Sequence, residues 1–86
     1  MTYSLRIKKS AAKALAKIAK NDRLRLIEAI DRLRKEPGAG GVLKGEFAGL
    51  RRLRVGSYRI IYEVIDDRLV VLVIRVGHRR EVYRSK

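Results

Sequence analysis

The chain has 86 residues, 47% of them hydrophobic, with 22 Lys and Arg against 9 Asp and Glu for a formal net charge of +13. That length holds one small domain; the apolar share excludes a disordered tail, and the charge calls for an anionic partner such as nucleic acid or an acidic protein. With no Cys and one His, disulfides, thiolate chemistry and a structural zinc cluster are excluded.

Tyr3, Leu5 and Ile7 alternate with Ser4 and Arg6, the period of a short strand. This opening is too short and too alternating for a secretion signal. Ser10 is expected to cap a helix running to about Lys20. In it Ala11, Ala12, Leu15, Ile18 and Ala19 recur at helical spacing, and Lys9, Lys13, Lys17 and Lys20 take the remaining face. Asn21-Asp22 is expected to end this helix and cap the next, whose apolar stripe is Leu26, Ile27, Ile30 and Leu33 and which Pro37-Gly38 stops. Pro37-Gly38-Ala39-Gly40-Gly41 reads as a flexible linker, followed by a loop from Val42 to Glu46. It lacks the Gly-Lys-Ser/Thr ending and the preceding strand of a phosphate-cradling loop.

From about Arg51 the period changes to two. With Gly56-Ser57 as a two-residue turn, Val55 pairs with Tyr58, Arg54 lies opposite Arg59, and Arg52 lies opposite Ile61. Arg52, Arg54 and Arg59 then project from one face. Like charges directly opposite each other destabilise a sheet, so a fold that gathers them is expected to hold them for a polyanion. Asp66-Asp67-Arg68 makes a second hairpin turn. The run from Leu69 to Ile74 is apolar on both faces, as in an interior strand, and far shorter than the roughly 20 residues of a membrane span. A soluble, cytoplasmic protein with no membrane partner is expected. Gly77 marks a bend, and Glu81-Val82-Tyr83 closes the sheet or lies across its end. The expected class is α+β in the order β-α-α-β-β-β: one domain over residues 1–86, with a small, largely antiparallel twisted sheet and a two-helix hairpin packed on one face. The other face is left to the arginines.

Acid and base groups are scarce. The carboxylates are scattered and mostly helical, which leaves no obvious catalytic pair. A Ser/His/Asp triad would need Ser4, Ser10, Ser57 or Ser85 with His78, and no nucleophile elbow surrounds any of them. What remains is Arg51, Arg52, Arg54 and Arg59, then Arg75, Arg79, Arg80 and Arg84, with Tyr58, Tyr62 and Tyr83 interleaved. Guanidinium groups grip phosphate bidentately and stay charged at any working pH. Tyrosine rings stack on unpaired bases. Such a face either docks a partner or cleaves a phosphodiester without a metal. In the second case arginines stabilise a pentacoordinate phosphorane while a base takes the 2′-hydroxyl proton of RNA.

The run Leu53-Arg54-Val55-Gly56-Ser57-Tyr58-Arg59-Ile60-Ile61-Tyr62, the later Val76-Gly77-His78-Arg79 and the ending Glu81-Val82-Tyr83 resemble the RelE/ParE superfamily of bacterial and archaeal toxins. Leu43-Lys44-Gly45, the Asp66-Asp67 turn and the helical hairpin fit the same pattern, so the resemblance spans nearly the whole chain. Its RelE branch implies the toxin of a type II toxin–antitoxin system. Such a toxin enters the ribosomal A site, cuts the mRNA codon displayed there without a cofactor, and is silenced by an acidic RelB-like antitoxin that wraps it. Carried over by position, Arg52 and Arg54 match the paired basic residues of the family's second strand, and Arg59 matches the arginine proposed to stabilise the transition state. Arg79 matches the arginine after Val-Gly-X. Tyr83 matches the tyrosine that contacts the target nucleotide and has been proposed as base.

Arg51, Arg75, Arg80 and Arg84 are expected to bind RNA rather than catalyse. Well-studied relatives carry lysines where this chain has Arg52 and Arg54. Arginine cannot surrender its proton, so proton transfer is expected to fall on Tyr83, whose phenolate a dense arginine cluster favours, or on His78, an imidazole being the side chain suited to neutral pH. Tyr58 and Tyr62 fall on the face opposite Arg59 and are assigned to packing under the helices. The lysine face of the first helix is solvated surface, with ribosomal RNA contact as its functional alternative. Some relatives carry a C-terminal helix that the antitoxin displaces; this chain ends three residues past Tyr83, and that regulation is not expected. Two other functions fit the scaffold: ParE-like poisoning of DNA gyrase, and a non-catalytic basic module that binds antitoxin or nucleic acid. The isolated toxin is expected to be a monomer because its charge opposes self-association, and to form a hetero-oligomer with antitoxin.

Overall fold

The apolar run toward the end of the chain sits where a strand buried on both edges should, between two neighbours in a five-stranded sheet of order β1-β5-β4-β3-β2. The computed structural model describes residues 2–78. In chain order the elements are β1 (Ser4–Ile7), α1 (Lys9–Ala16), α2 (Lys20–Arg32), β2 (Gly41–Val42), β3 (Arg51–Val55), β4 (Tyr58–Ile65) and β5 (Val70–His78). β1 runs parallel to β5 and every other pair is antiparallel. Ala11 and Leu15 of α1 pack with Leu26, Ile30 and Leu33 on one sheet face, over Ile60, Tyr62, Val71, Val73 and Val76. The α+β class and the one-sided helical hairpin are therefore as expected, with the edge strand β2 in addition. Among the described residues no helix is long and apolar enough to cross a membrane.

The helix boundaries differ from the periodicity. The Lys8 N–H bonds the Val73 carbonyl at 2.9 Å, which ties the chain to β5 and starts α1 at once, so Ser10 lies inside the first turn and caps nothing. The break between the helices falls after Lys17, not at Asn21-Asp22. The Arg23 guanidinium reaches back to the Ile18 carbonyl at 3.1 Å, a capping contact supplied from the next helix. Asp22 instead occupies the first turn of α2, where a carboxylate is favoured by the helix dipole. Leu26, Ile30 and Leu33 fall within about 60° of one another at 100° per residue. Ile27 lies outside that arc and is 45% exposed, so the stripe is narrower than predicted.

The glycine-rich segment is not a flexible linker. Pro37–Ala39 forms one turn of 3-10 helix, and Gly41–Val42 pairs with Arg51 and Arg52. Between them the buried Gly40 N–H donates to the Tyr62 hydroxyl at 2.8 Å, and that hydroxyl donates to the Pro37 carbonyl at 2.8 Å. The Arg51 guanidinium completes the clamp by donating to the Gly40 carbonyl at 2.8 Å.

Burial pushes the Tyr62 hydroxyl above its ordinary pKa, opposed in part by the Gly40 N–H and the Arg51 charge. The raised folded-state value means that this stabilisation is complete below the unfolded pKa, near 10, and fades as pH climbs through the folded one. Tyr62→Phe strands the Gly40 donor and the Pro37 acceptor, at an expected cost of about 1–3 kcal/mol at pH 7. In thermal melts from pH 7 to 11 the gap between wild type and Tyr62→Phe should narrow above about pH 10; a constant gap would refute the buried neutral phenol.

β5 does not bend at Gly77, as the glycine led us to expect; the strand runs on to His78. It bulges earlier. Ile61 pairs with Arg75 but Tyr62 pairs with Val73, which leaves Ile74 as an extra residue. Val73 and Val76, three apart, can then both be buried on the helix face, and Arg75 is turned to the other side.

Candidate nucleic-acid interface

The β3–β4 register matches the sequence pattern residue for residue: Val55 with Tyr58, Arg54 with Arg59, Arg52 with Ile61. Gly56 makes this turn possible with a φ of +60°, a region L side chains avoid. Directly opposed residues share a face, so the helix-free side is built on two adjacent rungs. On one, Arg54 faces Arg59, with Gly77 beyond it on β5. On the other, Ile61 lies between Arg52 on β3 and Arg75 on β5.

Ile61 is 1% exposed although it lies outside the core under the helices. Its neighbours' methylene stems are long enough to lie over an apolar floor while their heads stay wet. Arg52 and Arg59 are half-buried and Arg54 and Arg75 exposed, and the Arg59 Nε is withdrawn from solvent. Cations over a dry floor act through a lower effective dielectric than solvated ones. The one acid in any described strand is Glu63, on the same face two residues beyond Ile61. Among the described residues no group of His, Cys, Asp and Glu could hold a metal ion.

The sequence-predicted residues divide by face. Arg52, Arg54, Arg59 and Arg75 come together. Arg51 alternates to the helix side, where it grips the Gly40 carbonyl. His78 pairs with Tyr58, also on the helix side, so the sheet separates it from the arginines. Tyr62 is buried in the core and Tyr58 half-buried against it. Arg79, Arg80, Tyr83 and Arg84 lie outside the described residues. Arg75 was expected among the RNA-binding arginines, but the register that brings it to this face was not foreseen. A strict period of two would have placed it with Val73, and the unbroken apolar run from Leu69 to Ile74 carries no sign of the bulge.

A family model described as the ParE toxin of type II toxin–antitoxin systems matches residues 5–83. The chain is 34% identical to toxin RelG of Mycobacterium tuberculosis over 86 residues, covering 98% of this chain and 99% of that protein. A local match of 53% over 34 residues covers 37% of this chain and 36% of the mRNA interferase toxin RelE of Escherichia coli. The fold superposes on the toxin–antitoxin complex RelBE from M. tuberculosis with a TM-score of 0.85 at 32% identity, covering 92% of this chain and 100% of that one. For the archaeal RelE–RelB complex from Pyrococcus horikoshii the values are 0.76 and 34%, with 94% and 99% covered. On the family match and this full-length similarity, the chain belongs to the RelE/ParE superfamily and is a RelE-like toxin of a type II toxin–antitoxin system.

Proposed function

We propose that the toxin is an mRNA endonuclease that acts in the ribosomal A site by metal-independent attack of a 2′-hydroxyl. The observation that carries this reading is the gathering of Arg52, Arg54, Arg59 and Arg75 on two adjacent rungs of the open sheet face. The 2′-oxygen adds to the neighbouring phosphorus, the bond to the 5′-oxygen breaks, and the products are a 2′,3′-cyclic phosphate and a 5′-hydroxyl. Arg52, Arg54 and Arg59, with Arg79, hold the phosphate and the extra negative charge of the phosphorane. Tyr83 takes the 2′-hydroxyl proton or stacks on the base. This assignment leaves out His78, which sits on the far side of the sheet, and Arg51, which is committed to the fold. The cytoplasmic partners are mRNA, the ribosome and an acidic RelB-like antitoxin, which fits a toxin of net charge +13.

The chemistry is tested on the cut ends. A message carrying a 2′-O-methyl group at the cut nucleotide is expected to stay whole, while its unmodified twin yields cyclic-phosphate ends. Cleavage of the methylated message would exclude 2′-hydroxyl attack. The ParE description of the family model favours a second reading, inhibition of DNA gyrase. That reading predicts lost supercoiling with the message intact.

A further inference from the structure

On the helix side, an open cleft of about 450 Å³ lies between the end of α1, the first residue of β4 and the last residues of β5. Lys17, Ile18, Tyr58, Val76, Gly77 and His78 are among its lining residues. The Tyr58 and His78 rings meet edge to face, with centroids 6.0 Å apart and an interplanar angle of 75°. Tyr58 is half-buried against the core, whereas His78 is exposed, so one ring is fixed and the other is open to a ligand. Ile18 and Val76 supply apolar surface. Lys17, at the C-cap of α1, brings a cation to the rim and offsets the negative end of the helix dipole. Among the described residues, no acidic side chain lines the cleft.

The cleft also sits at a particular place relative to the arginines. Tyr58 directly precedes Arg59, and Gly77, which lines the cleft, is the cross-strand partner of Arg59. The cleft is therefore behind the rung that carries Arg54 and Arg59, at the same end of the sheet, where Gly77 places no side chain beside Arg59. An exposed imidazole at right angles to a tyrosine, an apolar floor and a lysine on the rim suit a flat aromatic group attached to a phosphate.

We propose that this cleft is a base-binding subsite. An unpaired RNA base next to the scissile phosphate stacks on His78 beside Tyr58, with its own phosphate at Lys17. The proposal rests on the reading that the arginine face holds RNA, since a strand held there can turn round the short end of the sheet into the cleft.

The test begins with the His78 and Tyr58 ring proton resonances of the toxin, followed on addition of adenosine 5′-monophosphate and, separately, of inorganic phosphate. The nucleotide should shift both rings and phosphate alone should not. Binding of a short single-stranded RNA then separates stacking from charge. His78→Ala should weaken it about tenfold at fixed salt without changing the slope of log affinity against log salt, and His78→Phe should restore it. Lys17→Ala should reduce that slope by about one. Equal shifts with phosphate alone, or wild-type affinity in His78→Ala, would overturn the proposal. So would rings that ignore the nucleotide but respond to an acidic peptide, which would make the cleft a protein-docking surface. Cleavage that depends on Arg59 without any ring shift would remove the subsite and keep the nuclease. Ring shifts with a message that is never cut would do the reverse.

Discussion

Arg59→Ala is expected to lower message cleavage about 100- to 1,000-fold, the range for losing one preorganised group that meets transition-state charge. Arg59 lies directly opposite Arg54 and one rung from Arg52 and Arg75, so a phosphate bound on this face meets several guanidinium groups at once. Its half-buried stem and withdrawn Nε hold the fork in place before substrate arrives, which a solvated surface arginine would not achieve. Arg59→Lys keeps the charge but not the planar fork, and should recover only part of the activity. The fold should survive, because removing one of two opposed like charges relieves repulsion. Single-turnover cleavage at saturating ribosomes, beside a thermal melt of each variant, checks both statements. Full activity in Arg59→Ala with an unchanged melt would remove this residue from the site.

The largest loss of stability is expected at Gly40. An added Cβ would stand 2.6 Å from the Arg52 carbonyl oxygen and 2.7 Å from the Tyr62 hydroxyl. The first obstacle is backbone in a paired strand, and the second is a ring with no freedom to retreat in the core. Gly40→Ala should therefore both strain β3 and break the Tyr62 hydrogen bonds, costing about 3 kcal/mol in all. For a domain of this size that lowers Tm by about 12–24 °C. Gly38 and Gly41 have nothing within 4 Å of an added Cβ, and alanine at either should leave Tm within a few degrees. Calorimetry on the three variants decides it, and equal melts for all three would contradict the clamp.

These three glycines also show what the sequence can and cannot carry. They look alike in the chain, and a loop reading suits all of them equally; only the return of β4 to put Tyr62 beneath Gly40 distinguishes one. The β3–β4 hairpin was legible because a two-residue turn opening on glycine allows a single register, and alternation then assigns every side chain to a face. The register that turns Arg75 to this face was not legible, because the bulge at Ile74 shifts the alternation within a uniformly apolar run. His78 was expected to serve the arginine site in proton transfer, yet in a strand the residue that pairs with Tyr58 must share the face of Tyr58. The ends of α1 and α2 are set by the Lys8 bond to β5 and the Arg23 bond to Ile18. These are tertiary contacts with no local signature, and they outweighed the capping propensities of Ser10 and Asn21.

The most direct measurement is primer extension on a defined mRNA in a purified translation reaction, with and without ribosomes, using wild type and Arg59→Ala in parallel. Cuts within the A-site codon, present only with ribosomes and wild-type toxin, are the expected result. An uncut message in every lane, or identical cutting by the two proteins, would contradict the assignment of the arginine face as a nuclease site.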